Sequence, residues 1–500
     1  MTDDFLLERV PTGAPGLDTI LRGGFLKGGV YIIEGVPGAG KTILANQICF
    51  SHIAGGGRAL FVTLLAESHT RMLQHLRPMS FFNEAAIPAS LYYVSALRAL
   101  EEDGLGGLVD LLRREIRAHK ATLLVLDGLL AAEQSAPTER DFKKFIGEIQ
   151  AHVTTQECTA LLLTNGSPRP VRPEETMVDG LIALGDQLYG ARAERDLQVR
   201  KFRGSAALRG RHPFRITSDG IVIYPRFEAL YAAPSRPDEP SHGRIPTGVD
   251  RLDAMFKGGL PAASTTTLIG PSGSGKTTLG LHFLSQCSEA EPGLHFGFFE
   301  TSPRLRMKAE ALGLGFGPLL DRGVVDVIWQ APTEHILDAL AHRLLEAVQR
   351  RNVRRLFVDG LGGFIAATKD RERISHFFAA LANELRALGV STIYTMEARD
   401  LIGTNVLVPV DNVSSLIENL IYLRFVERES QLNHVLSILK ARDSDFDPVI
   451  RSFAITSGGI RIGEPFRGSE DVMTGFAHRP SGGTARDEAG PPDLGHPNGG

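Results

Sequence analysis

The sequence predicts an α/β protein built as two tandem copies of one fold, each a mostly parallel central sheet flanked by helices and carrying an antiparallel extension. Three observations carry this. RVPTGAPGLDTILRGGFLKGG from Arg9 and RIPTGVDRLDAMFKGGLPAAS from Arg244 share P-T-G, L-D and G-G at one spacing, and the same offset of 235 residues carries Lys41 onto Lys276. A gapless offset of this kind marks a duplicated domain. Within the first copy, VYIIEG, ALFVTLL, TLLVLDG and TALLLTN alternate with longer helical patterns such as LGGLVDLLRREIRAHK. Near-continuous apolar strands separated by helices build a parallel sheet covered on both faces. Late in the copy, LQVRKFRG and HPFRITSDGIVIYP read as neighbouring strands with a Ser-Asp-Gly turn, which adds the antiparallel part.

The boundaries follow in order along the chain. The 500 residues at 43% hydrophobic content exceed one ordinary core. The first domain is expected over 1–232 and the second, with a C-terminal segment, over 244–475. APSRPDEPSHG, 233–243, reads as an exposed linker from its prolines, serines and charges. The Gly- and Pro-rich stretch 476–500 is expected to be a disordered tail. Lys and Arg number 54 against 58 Asp and Glu, a net charge of -4, so nothing in the bulk charge favours nucleic acid or an anionic membrane. No apolar run approaches the roughly 20 residues of a membrane span. The opening MTDDFLLERV has no basic region followed by an apolar run, unlike a secretory signal. Cys49, Cys158 and Cys287 are too few and too far apart for a disulfide framework, and a reducing cytoplasm is the expected location. The 15 histidines form no ligand pair, so no dedicated protein metal site is expected.

Two short stretches carry the chemistry. GVPGAGKT at 35–42 and GPSGSGKT at 270–277 each follow an apolar strand and precede a helix. Gly35, Gly38, Ala39 and Gly40, and Gly270, Gly273, Ser274 and Gly275, form turns whose backbone N–H groups can surround phosphates at the positive end of the following helix. Lys41 and Lys276 are placed to reach the β and γ oxygens of ATP, and Thr42 and Thr277 to give a hydroxyl to Mg²⁺. Asp127 and Asp359 end apolar runs and are the second expected Mg²⁺ contacts, although a strand-ending Asp also serves as a plain turn former. A base or water-positioning group is sought just past the second strand, where Glu67 and Glu300 stand.

With P-T-G, L-D and G-G ahead of each phosphate loop, and with KFRG and LKARDS strands late in the two copies, the chain resembles the KaiC family of RecA-superfamily ATPases over about residues 5–475. The resemblance implies two RecA-like P-loop NTPase domains and a homo-hexameric double ring with ATP at subunit interfaces. It implies that Lys201 and Arg203, and Lys440 and Arg442, reach the phosphates held by a neighbouring subunit. Alternate residues of a strand share a face, so each pair could act together; a solvated basic strand edge is the plain alternative. Ser414 and Ser415 stand where that family's clock protein phosphorylates itself, and they are also ordinary cap or turn residues. Two departures matter. The family has adjacent glutamates after the second strand, whereas Phe299 replaces the first and Glu300 aligns with the second. Glu67 aligns with the second only if one residue is inserted, so slow hydrolysis is expected.

Three functions therefore compete. The first is a slowly hydrolysing, nucleotide-dependent hexameric signalling ATPase with possible serine autokinase activity in the second domain. The second is a DNA-dependent recombinase or helicase-type ATPase, disfavoured by the acidic charge. The third is a catalytically degenerate, nucleotide-bound scaffold. Partner proteins are not identifiable from the residues.

Overall fold

The computed structural model describes residues 8–65, 69–165, 176–237, 239, 242–331, 333–398, 417–428, 431–442 and 444–466. The chain divides into two compact units, 1–235 with 334–346 and 379–384, and 236–333 with 347–378 and 385–500.

In the first unit a two-stranded ribbon, β1 (Arg9–Val10) with β2 (Phe25–Leu26), precedes a nine-stranded sheet. Its strands are β3 (Val30–Gly35), β4 (Ala59–Thr63), β5 (Leu91–Ser95), β6 (Leu123–Asp127), β7 (Thr159–Thr164), β8 (Gly180–Tyr189), β9 (Arg192–Phe202), β10 (Arg211–Thr217) and β11 (Gly220–Ile223). The order is β11-β10-β9-β8-β3-β7-β6-β4-β5. From β8 to β5 every pairing is parallel, and from β8 to β11 every pairing is antiparallel. Every residue of β3, β4, β6 and β7 is buried, as expected for strands covered on both faces. Thr217 pairs with Gly220, so Ser218 and Asp219 form the turn read from the sequence.

The second unit repeats the plan. The ribbon is β12 (Arg244–Ile245) with β13 (Leu260–Pro261). The sheet holds β14 (Thr265–Gly270), β15 (Gly293–Gly297), β16 (Val325–Trp329), β17 (Arg355–Asp359), β18 (Ser391–Glu397), β19 (Asn419–Arg428), β20 (Gln431–Ala441), β21 (Arg451–Thr456) and β22 (Gly459–Pro465). Its order, β16-β15-β17-β18-β14-β19-β20-β21-β22, is that of the first sheet strand for strand. The phosphate-loop strand is central in both, which places its C-terminal edge where ligands bind in open α/β sheets. Even a register irregularity recurs. Lys201 and Val199 face Leu181 and Ile182, leaving Arg200 as the extra residue, and Lys440 and Ile438 face Leu420 and Ile421, leaving Leu439.

The two cores solve one packing problem with different residues. On the helix Lys276–Ser285, a Cβ at Gly280 would lie 2.1–2.3 Å from three ring atoms of Phe357. At the same places the first unit has Ala45 on the helix Lys41–Ala54 and Val125 on β6, both fully buried. A small residue opposite a large one has become a medium pair. Gly280→Ala is therefore expected to destabilise the protein by about 1–3 kcal/mol, because overpacking outweighs the gain in helix propensity. Phe357→Val should restore most of that loss when added to Gly280→Ala, giving a coupling above about 1 kcal/mol in a double-mutant cycle by urea denaturation. Additive losses would show that the two side chains do not share that space.

Candidate functional site

Both loops follow from glycine at positions only glycine occupies without strain. Gly38 and Gly40 have φ of 83° and 103°, and Gly273 and Gly275 have 79° and 92°. Gly38 has open space where a Cβ would stand. Gly35 and Gly270 do not, since a Cβ there would meet the carbonyl oxygens of Leu184 and Leu423 at 2.7 and 2.5 Å. Ala39 is fully buried. Ser274 is buried as well, and its Oγ has no hydrogen-bond partner.

Each loop is followed by the same polar cluster. Lys41 Nζ donates to Gly35 O at 2.6 Å, Val36 O at 3.2 Å and Asn165 Oδ1 at 3.2 Å. Lys276 Nζ donates to Gly270 O at 2.6 Å and Pro271 O at 2.7 Å. Burial holds both ammonium groups below the ordinary lysine pKa, opposed by Asp127 in the first site and by Glu397 and Asp359 in the second. Thr42 Oγ1 donates to Asp127 Oδ2 at 3.0 Å, and Thr277 Oγ1 donates to Asp359 Oδ2 at 2.9 Å. Asp127 and Asp359 end β6 and β17 and are buried. The sequence reading missed Thr395, whose Oγ1 donates to Asp359 Oδ1 at 2.7 Å and accepts from Gly360 N–H at 2.7 Å. Threonine inside a strand reads only as a strand former.

These residues fit a nucleotide with its Mg²⁺. Open glycines, an ammonium tied to its own loop's carbonyls, an orphaned buried hydroxyl and a hydroxyl–carboxylate pair are the donor set for phosphate oxygens and a hard divalent ion.

Past the second strand the halves differ. Leu64 N–H donates to Asp127 O at 2.8 Å and Phe298 N–H to Asp359 O at 3.4 Å, which makes Leu65 and Phe299 structural equivalents. Both are exposed apolar side chains, at 43% and 63%. Each lies over the glycine that follows the aspartate. A Cβ at Gly128 would stand 3.1 Å from Leu65 Cδ2, and one at Gly360 would stand 2.4 Å from Phe299 Cε2. Met72 and Leu76 of the helix that follows in the first half, and Leu305 and Ala309 of the helix that follows in the second, face inward. Glu67 aligns with Glu300 only with one residue inserted in the first half. Glu67 itself lies outside the described residues, as do Ser414 and Ser415. Glu300 Oε1 accepts from Lys308 Nζ at 2.7 Å. Both line a cavity of about 1450 Å³ together with Lys276, Thr277, Asp359 and Glu397.

The late basic strands are placed as follows. Lys201 Nζ and Arg203 Nη2 both donate to Thr176 O, at 2.9 and 2.8 Å, so the two cations share one side. The bulged Arg200, which the sequence reading did not single out, pairs with the buried Glu34 at 2.5 Å. Lys440 is the last residue but one of β20, beside the bulged Leu439, and Arg442 is exposed just beyond the strand, its N–H donating to Glu418 O at 3.0 Å.

Comparison with known proteins agrees with this geometry. A family model described as "ATPase: KaiC" matches residues 10–228 and again 245–467. The circadian clock oscillator protein KaiC of Picosynechococcus sp. is 25% identical over 491 residues, covering 95% of this chain and 93% of that protein. Circadian clock oscillator protein KaiC 1 of Synechocystis sp. is 24% identical over 489 residues, covering 95% and 92%. No helix among the described residues is long and apolar enough to cross a membrane.

Proposed function

This chain belongs to the KaiC family of ATPases, and from that premise we propose that it binds ATP with Mg²⁺ at two sites, hydrolyses it slowly and works as a nucleotide-dependent switch. One observation carries the reading. In both halves a glycine loop, a lysine bonded to the last carbonyl of its strand and a threonine within 3.0 Å of a strand-ending aspartate recur with the same geometry.

Gly35, Gly38, Ala39 and Gly40, and Gly270, Gly273, Ser274 and Gly275, would surround the phosphates with backbone N–H groups. Lys41 and Lys276 would neutralise the β and γ oxygens. Thr42 with Asp127, and Thr277 with Asp359, would hold Mg²⁺. The bound nucleotide supplies a phosphoryl group whose transfer needs electrostatic stabilisation more than covalent chemistry. Glu67 and Glu300 are the proposed water-positioning groups, and slow turnover follows from Leu65 and Phe299 standing where a second carboxylate would help.

The same reading extends to assembly. The domains are proposed as 1–232 and 244–475, joined by 233–243, in a cytoplasmic homo-hexamer with ATP between subunits. Lys201 and Arg203, and Lys440 and Arg442, would then meet a neighbour's phosphates. Ser414 and Ser415 are proposed acceptors for self-phosphorylation in the second domain.

Phosphate release from ATP and Mg²⁺ by the purified protein tests the central claim. Release above that of a protein lacking both loop lysines is the expected result, and equality would favour a nucleotide-bound scaffold instead. Mass measured with and without ATP is expected to shift to six chains with nucleotide. A monomer under both conditions would remove the interface sites from the proposal.

A further inference from the structure

We infer that Lys308 is a positioning residue for Glu300 at the second nucleotide site, an inference that rests on reading that site as hydrolytic. Glu300 needs such a partner. β15 ends at Gly297, so no strand ladder holds the backbone at 300, and the preceding Phe299 projects 63% exposed over Gly360. A glutamate in that position has three free torsions and no packing neighbour in sequence to fix it.

Lys308 comes from firmer ground. It lies on the helix Ser302–Ala311, whose Leu305 and Ala309 are fully buried and whose first turn carries Pro303. From there Nζ donates to Glu300 Oε1 at 2.7 Å, with the two side chains 36% and 25% exposed. A charge-assisted hydrogen bond of this length, partly screened from water, holds geometry better than an exposed ion pair. It engages one carboxylate oxygen, and no other hydrogen bond to Glu300 is present among the described residues. The second oxygen is left to a water. Both residues line the cavity that also holds Lys276, Thr277 and Asp359, so the ion pair opens onto the same space as the phosphate loop.

The corresponding helix of the first unit, His69–Leu76, reads HTRMLQHL and has no lysine. Misplacing a reacting group by an ångström costs on the order of 10²-fold in rate, so a positioning contact of this kind acts on turnover and leaves nucleotide affinity alone.

The test uses the full chain carrying Lys41→Ala, so that phosphate release reports the second site. Lys308→Met in that background is expected to lower kcat at least tenfold with KM for ATP within twofold, and Lys308→Arg to retain most of the rate. Trp329, the single tryptophan, ends the edge strand of the same sheet, so an unchanged emission spectrum shows that the variant is folded. Three results overturn the inference: an unchanged kcat, a raised kcat, which would make the pair a restraint, or a raised KM at unchanged kcat, which would make Lys308 a phosphate contact. If Lys41→Ala alone releases phosphate no faster than Lys41→Ala with Lys276→Ala, hydrolysis at the second site fails and the inference falls with it. An active background with a silent Lys308→Met defeats the inference alone.

Discussion

Replacing both Lys41 and Lys276 by alanine is expected to lower phosphate release by at least about 100-fold, the scale seen when one preorganised transition-state donor is removed. The structure explains why no other group compensates. Each Nζ sits 2.6 Å from the carbonyl that ends its own strand, Gly35 O or Gly270 O, so the ammonium is already in place over the loop. Burial disfavours its charge, and a polyphosphate would reverse that penalty by bringing in negative charge. The loop's other contributions, backbone N–H groups and the helix end, carry only partial charge. Arginine is no substitute, because a planar fork cannot reproduce a point donor shared between two carbonyls 2.6–2.7 Å away in the second site. Single replacements apportion turnover between the sites, and a steady-state phosphate assay on the two singles and the double reads both. A double variant that keeps more than a tenth of the rate would mean that the phosphate loops are not the hydrolytic centres.

Much of this site was legible in the sequence because its parts are local. A strand, a glycine loop and a helix N-terminus are contiguous, so GVPGAGKT and GPSGSGKT display the whole cradle in eight letters each. Asp127 and Asp359 were legible because a carboxylate closing an aliphatic run falls at a sheet edge. What stayed hidden depends on partners far along the chain. Glu34 reads as the polar end of VYIIEG until β9 brings Arg200 against it, and Arg200 takes that position only because β8 and β9 slip register at Leu181/Ile182. Lys308 reads as a solvated helical lysine until the helix Ser302–Ala311 brings its Nζ within 2.7 Å of Glu300 Oε1. Leu91–Ser95 carries little strand signal, being only partly buried at the sheet's edge, where the apolar pattern weakens. The helix seen as LGGLVDLLRREIRAHK is preceded by a shorter helical stretch from Leu97, and the two meet at a kink where Gly104 is non-helical (φ 63°, ψ -157°).

Acidification from pH 7 to pH 5 is expected to cost the second unit about 2 kcal/mol through His295 alone. This imidazole sits in the middle of β15, fully buried, with neither ring nitrogen hydrogen-bonded. Its ring meets Phe357 edge-on at 5.3 Å and packs against Gly297, where a Cβ would come within 2.4 Å of Cε1. Burial pushes its pKa down from 6.5 to about 4, against the upward pull of the Asp359 and Glu300 carboxylates, with Lys308 adding to the fall. The folded state therefore favours the neutral ring. Stability from this group is fully present above pH 6.5 and is lost as pH falls toward about 4, a gap worth about 3 kcal/mol when complete. His282 acts in the same direction. Burial lowers its pKa, and its Nε2 must stay unprotonated to accept from Ile460 N–H at 2.9 Å. The first unit has Phe61 at the place of His295, with Val125 beside it, so an apolar ring suffices for the fold there. His295→Leu should accordingly leave stability at pH 7 unchanged or raised, since it removes two orphaned polar atoms. It should also flatten the dependence between pH 7 and pH 5 by about 2 kcal/mol. Urea denaturation followed by Trp329 emission reads this locally, because β16 pairs directly with β15. Equal pH slopes for the variant and the parent would rule His295 out as the source. If the slope does flatten, the histidine was kept at a cost in acid stability, on the strand between Trp329 and the Asp359 that ends β17, where a proton on its ring would sit under the carboxylates of the second site.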